Sequence, residues 1–342
     1  MDLLHSRLEH TRWPAPLPGD SWGTGVPVQY LKHLAGLWRT DYDWRAREAH
    51  LNAFPQFTTS IDGTRIHFVH VRSPHPGALP LILTHGWPGS VFEFLDIIDA
   101  LTDPADPADA FDVVVPSLPG FTLSGPTPEP WDPDRIAAAW VSLMTELGYD
   151  RFAVQGGDLG AAVSPAVARH APDRVGGVHI IGSQTFTAPE SVDEATLSAL
   201  TDLERDRLAR VGEFMRTEYG YIAVQSTRPQ TLAYGLTDSP VGQLAWMVDK
   251  FAAWTWPISA LPEDVLGADR VLDHVSLYWF TGTAGTSAYT EYATSAWGPA
   301  PEPFGVPTGF LQLAHDTGNT RACTCRRCHF QSQFMSLRRI LP

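Results

Sequence analysis

Gly156-Gly157-Asp158-Leu159-Gly160 is the stretch on which the reading of this chain turns. It follows an apolar run, Phe152-Ala153-Val154, and precedes Ala161-Ala162-Val163, where helical spacing begins. Small residues on both sides of one acid mark a tight strand-to-helix elbow. Such a strained turn lifts a nucleophile clear of a sheet and aims the next N–H at a developing oxyanion. With aspartate at the apex the lifted group is a carboxylate, which attacks carbon by displacement and forms an ester. A short Gly-x-Asp-x-Gly also suits an acid in a Gly-rich loop or a helix N-cap. The surrounding chain has to decide between these.

Upstream, Leu79 to Thr84 and Asp112-Val113-Val114-Val115-Pro116 are unbroken apolar runs, as expected of strands covered on both faces. The turn His85-Gly86-Trp87-Pro88-Gly89-Ser90 follows the first, with helical spacing from Val91 to Leu101. A helix from Asp134 to Leu147 returns the chain to the elbow strand. Earlier still, the period is two. Phe57 to Ile61, a turn at Asp62-Gly63, and Ile66 to Val71 predict a hairpin. The aromatic- and proline-rich start shows helical spacing from Val28 to Trp38 and from Arg45 to Ala53, which predicts two or three short helices.

Downstream, Gly176 to Ile181 is one more strand, and the alternation implies βαβ units and a mostly parallel sheet. The pattern then turns helical from Ser191 to Trp254, broken at Gly220, Pro229 and Pro240, and again from Asp273 to Ala293. An insertion of this kind reads as a lid over the strand ends. The sheet resumes from Gly305 to Leu311. The expected organisation is a helical segment over 1–56 packing on the core, a first part of the core over 57–186, a lid over 187–300, and a core strand with an atypical tail over 301–342.

The 342 residues suffice for a large core, and 24 basic against 38 acidic residues leave a net charge of −14, which repels phosphate backbones and excludes nucleic acid as a partner. Twelve Trp, several near the elbow, suggest a pocket walled by rings and suited to a small apolar ligand. No apolar run is long enough to span a bilayer, and Met1 to Arg7 lacks the order of a signal peptide, so no membrane is expected and the location is read as cytoplasmic. Cys323, Cys325 and Cys328 crowd together near the end. With His329 they imitate half of a zinc site without its second half, and no metal is expected.

Taken together, these stretches resemble the epoxide hydrolases of the microsomal and juvenile-hormone type, within the α/β-hydrolase fold. The resemblance runs from about Arg7 to Asp316. It rests on Arg12-Trp13-Pro14, Asp43-Trp44-Arg45, Pro55-Gln56-Phe57, the His85 to Ser90 turn and the Gly157-Asp158 elbow, with Gly220-Tyr221, Asp238 to Gly242 and Tyr278-Trp279 in the lid. It implies conversion of an epoxide and water to a vicinal diol without a cofactor. Asp158 would be the nucleophile, and the N–H groups of Trp87 and Leu159 the oxyanion hole, since Pro88 has none to give. Tyr221 would donate to the epoxide oxygen. The family's second donor falls at Glu291, with Tyr292 beside it and Tyr289 two before. Tyr292 is taken as that donor, with a slip of one residue. Asp316 would be the acid that orients a histidine base.

His329, in Arg327-Cys328-His329-Phe330, is the one candidate for that base, earlier than the family's position and without its glycines. His85, in its turn, reads as structural. From Thr317 on the sequence departs from the resemblance, and two Arg pairs, Arg326-Arg327 and Arg338-Arg339, load this tail. The expectation is a core truncated at its C-terminal end, an open sheet edge and an impaired second half-reaction. Two alternatives remain. A haloalkane dehalogenase also uses an elbow aspartate, though its usual indole donor beside the nucleophile is here Leu159. A catalytically incompetent homologue would keep the pocket as a small-molecule binder. The sequence is compatible with a homo-oligomer.

Overall fold

The apolar runs on either side of Asp158 become neighbouring strands of one sheet in the computed structural model, which describes residues 1–127, 129–182, 193–294, 305–313, 315 and 329–330. Three helices come first: α1 (Asp2–Glu9), α2 (Val28–Thr40) and α3 (Trp44–Asn52). Asp43 caps α3 by accepting the Ala46 N–H. The predicted hairpin is β1 (Gln56–Ile61) against β2 (Thr64–Val71), antiparallel, with positive φ at both Asp62 and Gly63 as a two-residue turn requires.

Alternation then runs as predicted through β3 (Leu79–Thr84), α4 (Leu95–Thr102), β4 (Phe111–Pro116), α5 (Pro133–Glu146), β5 (Phe152–Gly157), α6 (Leu159–His170) and β6 (Val175–Ile181). One difference is that Val91–Glu93 forms a single tight turn of 3-10 helix, capped by the Ser90 hydroxyl, before α4 begins. Strand β3 lies between β4 and β5 and runs parallel to both. Strand order therefore reverses beside the elbow, and open sheets place ligands at the strand ends of such a reversal.

The lid is helical, as the pattern implied: α7 (Glu194–Ser198), α8 (Asp202–Thr217), α9 (Gly220–Thr227), α10 (Pro229–Asp238), α11 (Pro240–Trp254), α12 (Pro262–Leu266), α13 (Ala268–Thr281), α14 (Ala284–Ser287) and α15 (Tyr289–Thr294). The expected breaks are helix starts. Pro229 and Pro240 each occupy a first turn, where a missing N–H costs nothing. The N-terminal helices pack on this lid: α1 and α2 contact α11, and α3 contacts α13. Trp38 donates its indole N–H to Ser276 at 2.8 Å, and Arg47 pairs with the buried Asp273 at 2.6 Å.

Strand β7 (Thr308–Leu311) pairs parallel with β6, and β8 (His329–Phe330) pairs parallel with β7. The edge expected to stay open after β7 lies one strand further out, at the two-residue β8, which is the last strand in the sheet order. Its two residues satisfy backbone groups that β7 would otherwise present unpaired. Among the described residues no helix is long and apolar enough to cross a membrane.

Candidate active site

Strand β5 ends at Gly157, and Asp158 turns the chain into α6 with φ +53° and ψ −122°. A non-glycine residue holds such a conformation only where its surroundings enforce it. The enforcement comes from close packing of the elbow on the end of β3. A Cβ on Gly160 would lie 2.2 Å from the Thr84 carbonyl oxygen, and one on Gly86 would lie 2.4 Å from Asp158 Cβ. Only glycine fits at either place.

The strain presents one carboxylate oxygen to two backbone donors. Asp158 Oδ1 accepts the Leu159 N–H at 2.7 Å and the Trp87 N–H at 2.9 Å. Among the described residues no hydrogen bond reaches Oδ2. Burial pushes the carboxyl pKa upward, and the two N–H groups act against that rise. The positive end of the α6 dipole also favours the anion. Asp158 lies deep in the molecule, yet its side chain is open to solvent, so it faces a space that a small molecule can enter.

The donor turn is fixed from below by His85 and from above by the lid. His85 Nε2 accepts the Leu118 N–H at 3.1 Å, which leaves Nδ1 to donate to the Gly86 carbonyl at 2.9 Å. Burial holds this imidazole neutral, with its pKa lowered to about 4. Both ring nitrogens are engaged, which matches the structural role expected of His85. From the lid, Tyr278 donates its hydroxyl to the Gly89 carbonyl at 2.8 Å, and Ser90 Oγ lies 2.9 Å from His274 Nδ1.

Above the nucleophile stand rings. Tyr221, in the first turn of α9, stacks on Trp87 with centroids 5.4 Å apart and planes at 15°, and Trp254 closes the group edge-on at 5.6 Å from Tyr221. Burial, then the charges of Asp158, Glu291 and Glu218, hold the Tyr221 phenol pKa well above its ordinary value, so the hydroxyl keeps its proton. The structure does not bring Tyr292 to this group. Its side chain is 55% exposed, while the preceding residue, Glu291, is half-buried and feels the charge of Asp158. One helical residue is a rotation of about 100°, so Glu291 and Tyr292 point to different sides. Burial, then Asp158, raise the Glu291 pKa to about 7.

Sequence reasoning missed a second acid, Glu93. It follows the donor turn, its carboxylate lies against Gly89, and burial followed by the charge of Asp158 pushes it up to about 8. A lone Glu at the start of a helical pattern carries no signal that would have found it.

Asp316 and the cysteine cluster lie outside the described residues. His329 is described by its backbone, which sits opposite Gly309 inside β8. Leu311, not Gly309, is the β7 residue level with Ile181 and so with Gly157. Three strand spacings of roughly 4.8 Å separate β8 from β5, so His329 sits well across the sheet from the elbow and below its level. A separate cavity of about 370 Å³ lies between the N-terminal segment and α11, lined by Trp13, Val26, Val241 and Trp246 among others, and is not the space that Asp158 faces. Among the described residues no group of acids, histidines and cysteines could hold a metal ion.

A family model described as the epoxide hydrolase N terminus matches residues 1–94, and one for the alpha/beta hydrolase fold matches residues 80–231. A putative epoxide hydrolase of Stigmatella aurantiaca is 47% identical over 85% of this chain and 67% of its own length. The solved structure of juvenile hormone epoxide hydrolase from Bombyx mori is 31% identical, covers 91% of this chain and 79% of its own, and superposes with a TM-score of 0.82. That of Aspergillus niger epoxide hydrolase, at 29% identity over 99% of this chain and 84% of its own, superposes with a TM-score of 0.79. With the elbow aspartate, its two backbone donors and the helical lid in place, the chain belongs to the epoxide hydrolase family of the α/β-hydrolase fold.

Proposed function

We propose that this hydrolase opens epoxides by attack of Asp158 Oδ2 on a ring carbon, giving an ester that water cleaves to a vicinal diol. The observation that carries the reading is the division of labour within one carboxylate. Oδ1 is held by the N–H groups of Trp87 and Leu159, whereas no described hydrogen bond engages Oδ2 of this solvent-exposed residue. In the ester, Oδ1 becomes the carbonyl oxygen. When water adds, the same two donors receive the charge that develops there. Tyr221 keeps its proton and is suited to donate to the ring oxygen as the C–O bond breaks. The rings of Trp87, Tyr221 and Trp254 suit a small apolar epoxide.

Ester hydrolysis needs a base. The sequence assigns it to His329 with Asp316 behind it, and the early place of His329 in the chain, without the family's glycines, favours a slow second step. The experiment is incubation with styrene oxide followed by intact mass and peptide mapping. The expected result is a gain of one substrate mass on Asp158, diol release that lags behind it, and an ester lifetime unchanged by His329→Ala. Labelling that persists in Asp158→Asn would overturn the nucleophile, and rapid diol release abolished by His329→Ala would reinstate that base.

A further inference from the structure

Two lid helices, α9 and α15, pack on one another and each turns one ionisable side chain toward Asp158, Tyr221 from the first and Glu291 from the second. Glu291 is half-buried where the next residue, Tyr292, is exposed, and its charge reaches Tyr221 on α9 while Asp158 acts on it in turn. Resting on Asp158 as nucleophile, we infer that Glu291 is a catalytic acid of ring opening, its protonated carboxyl giving its hydrogen to the epoxide oxygen beside Tyr221.

The step balances. An Oδ2 lone pair of Asp158 forms the new C–O bond, the ring C–O bond breaks, and its electron pair takes the Glu291 proton. This leaves an ester, a neighbouring hydroxyl and a Glu291 carboxylate. Water then cleaves the ester. Its oxygen stays on Asp158, one hydrogen leaves with the diol and the other restores Glu291.

The electrostatics make the two acids unequal. Tyr221 holds its proton far above neutrality and serves as a hydrogen-bond donor, whereas Glu291, at about 7, can give a proton up. An acid titrating near the working pH is the better general acid. Asp158 tunes it, because its negative charge helps to keep Glu291 protonated before attack. Forming the ester removes that charge and so makes Glu291 a stronger acid as the ring oxygen needs its proton. The described charged or titratable groups around it are Asp158 and Tyr221. Glu218 acts on Tyr221 and is paired with Lys250 at 2.5 Å.

The test compares two electrophiles in single-turnover labelling of the full chain, with labels mapped to Asp158. Styrene oxide needs a proton at its oxygen, and phenacyl bromide, which releases bromide, needs none. Glu291→Gln is expected to slow labelling by styrene oxide about 10²-fold and to leave labelling by phenacyl bromide unchanged. Glu291→Tyr is expected to recover part of the loss. In the wild type, the ratio of epoxide to bromide labelling rates should fall as pH rises through about 7, and Glu291→Gln should flatten that ratio. Equal slowing of both electrophiles would show a structural role and overturn the proposal, as would no slowing of either. Asp158→Asn should lose both labels. If it keeps them, the nucleophile assignment fails and Glu291 falls with it, an outcome distinct from failure at Glu291 alone.

Discussion

The N–H of Trp87 donates to Oδ1 of Asp158 at 2.9 Å across 71 residues of sequence. This bond ties the loop after β3 to the elbow after β5, at the point where the strand order reverses. It fixes which carboxylate oxygen is spectator and which is free to attack.

Gly86 sets how closely those two loops approach. Its absent side chain leaves room for Asp158, since a Cβ there would lie 2.4 Å from both Cβ and Oδ1 of the nucleophile. Gly86→Ala must therefore push the carboxylate out of place. Displacement of a reacting group by about 1 Å costs about 10²-fold in rate, and the expected result is a loss of that order in labelling of Asp158. Circular dichroism should retain the wild-type spectrum, and an unchanged labelling rate would contradict the close approach.

Tyr221 gives a different signature. Its ring stacks on Trp87, so Tyr221→Phe keeps the wall and removes only the donor. Loss of one donor to a developing oxyanion costs about 10²-fold. Styrene oxide labelling should fall by about that factor, while phenacyl bromide labelling, which leaves no oxyanion, stays near the wild-type rate. Slowing of both would assign Tyr221 to shaping the pocket.

Much of this architecture could be read before any coordinates. The runs at Leu79 to Thr84 and Asp112 to Pro116 could only be covered strands, and the small residues around Asp158 could only make an elbow once strand and helix flanked it. The lid helices announced themselves through Pro229 and Pro240, which start helices more readily than they interrupt them. The second lid acid was not legible for a reason of phase. In a helix as short as Tyr289–Thr294, an error of one residue in register exchanges Glu291 for Tyr292. Chemical familiarity then favours the phenol. Glu93 was hidden differently, because an acid beside a helical run reads as a solvated face until the turn before it is brought up to the elbow and Asp158.

That second acid makes a prediction about pH. Burial and the charge of Asp158 raise the Glu93 carboxyl from 4.5 to about 8, against the Ser90 backbone hydrogen bond. A carboxyl with a higher pKa in the folded than in the unfolded chain binds its proton more tightly when folded. The stability that Glu93 contributes is therefore fully present below 4.5 and is lost as pH rises toward 8. Glu93→Gln removes this contribution and should make the melting temperature fall less steeply across that window. Glu291 and Asp158 carry shifts of the same sign, so the slope shrinks without vanishing. Parallel curves for the two proteins would mean that folding does not raise the Glu93 carboxyl.

The N-terminal segment offers a last prediction, since one buried lid carboxylate takes two of its side chains. Asp273 on α13 is 1% exposed, accepts from both Nε and Nη2 of Arg47, and takes the Tyr42 hydroxyl at 2.8 Å. Removing one partner of a buried pair leaves a charge without compensation, at a cost of about 3 kcal/mol. Arg47→Leu should lower the urea midpoint accordingly, and Arg47→Leu combined with Asp273→Asn should recover part of the loss, because the stranded charge is then gone. The effect should also reach the chemistry. The same helix holds Gly89 through Tyr278, so loosening α13 frees the turn that carries the Trp87 donor. Slower labelling of Asp158 in Arg47→Leu, at a temperature where the variant remains folded, would show that the segment holds the oxyanion turn through the lid. An unchanged rate would confine its role to stability.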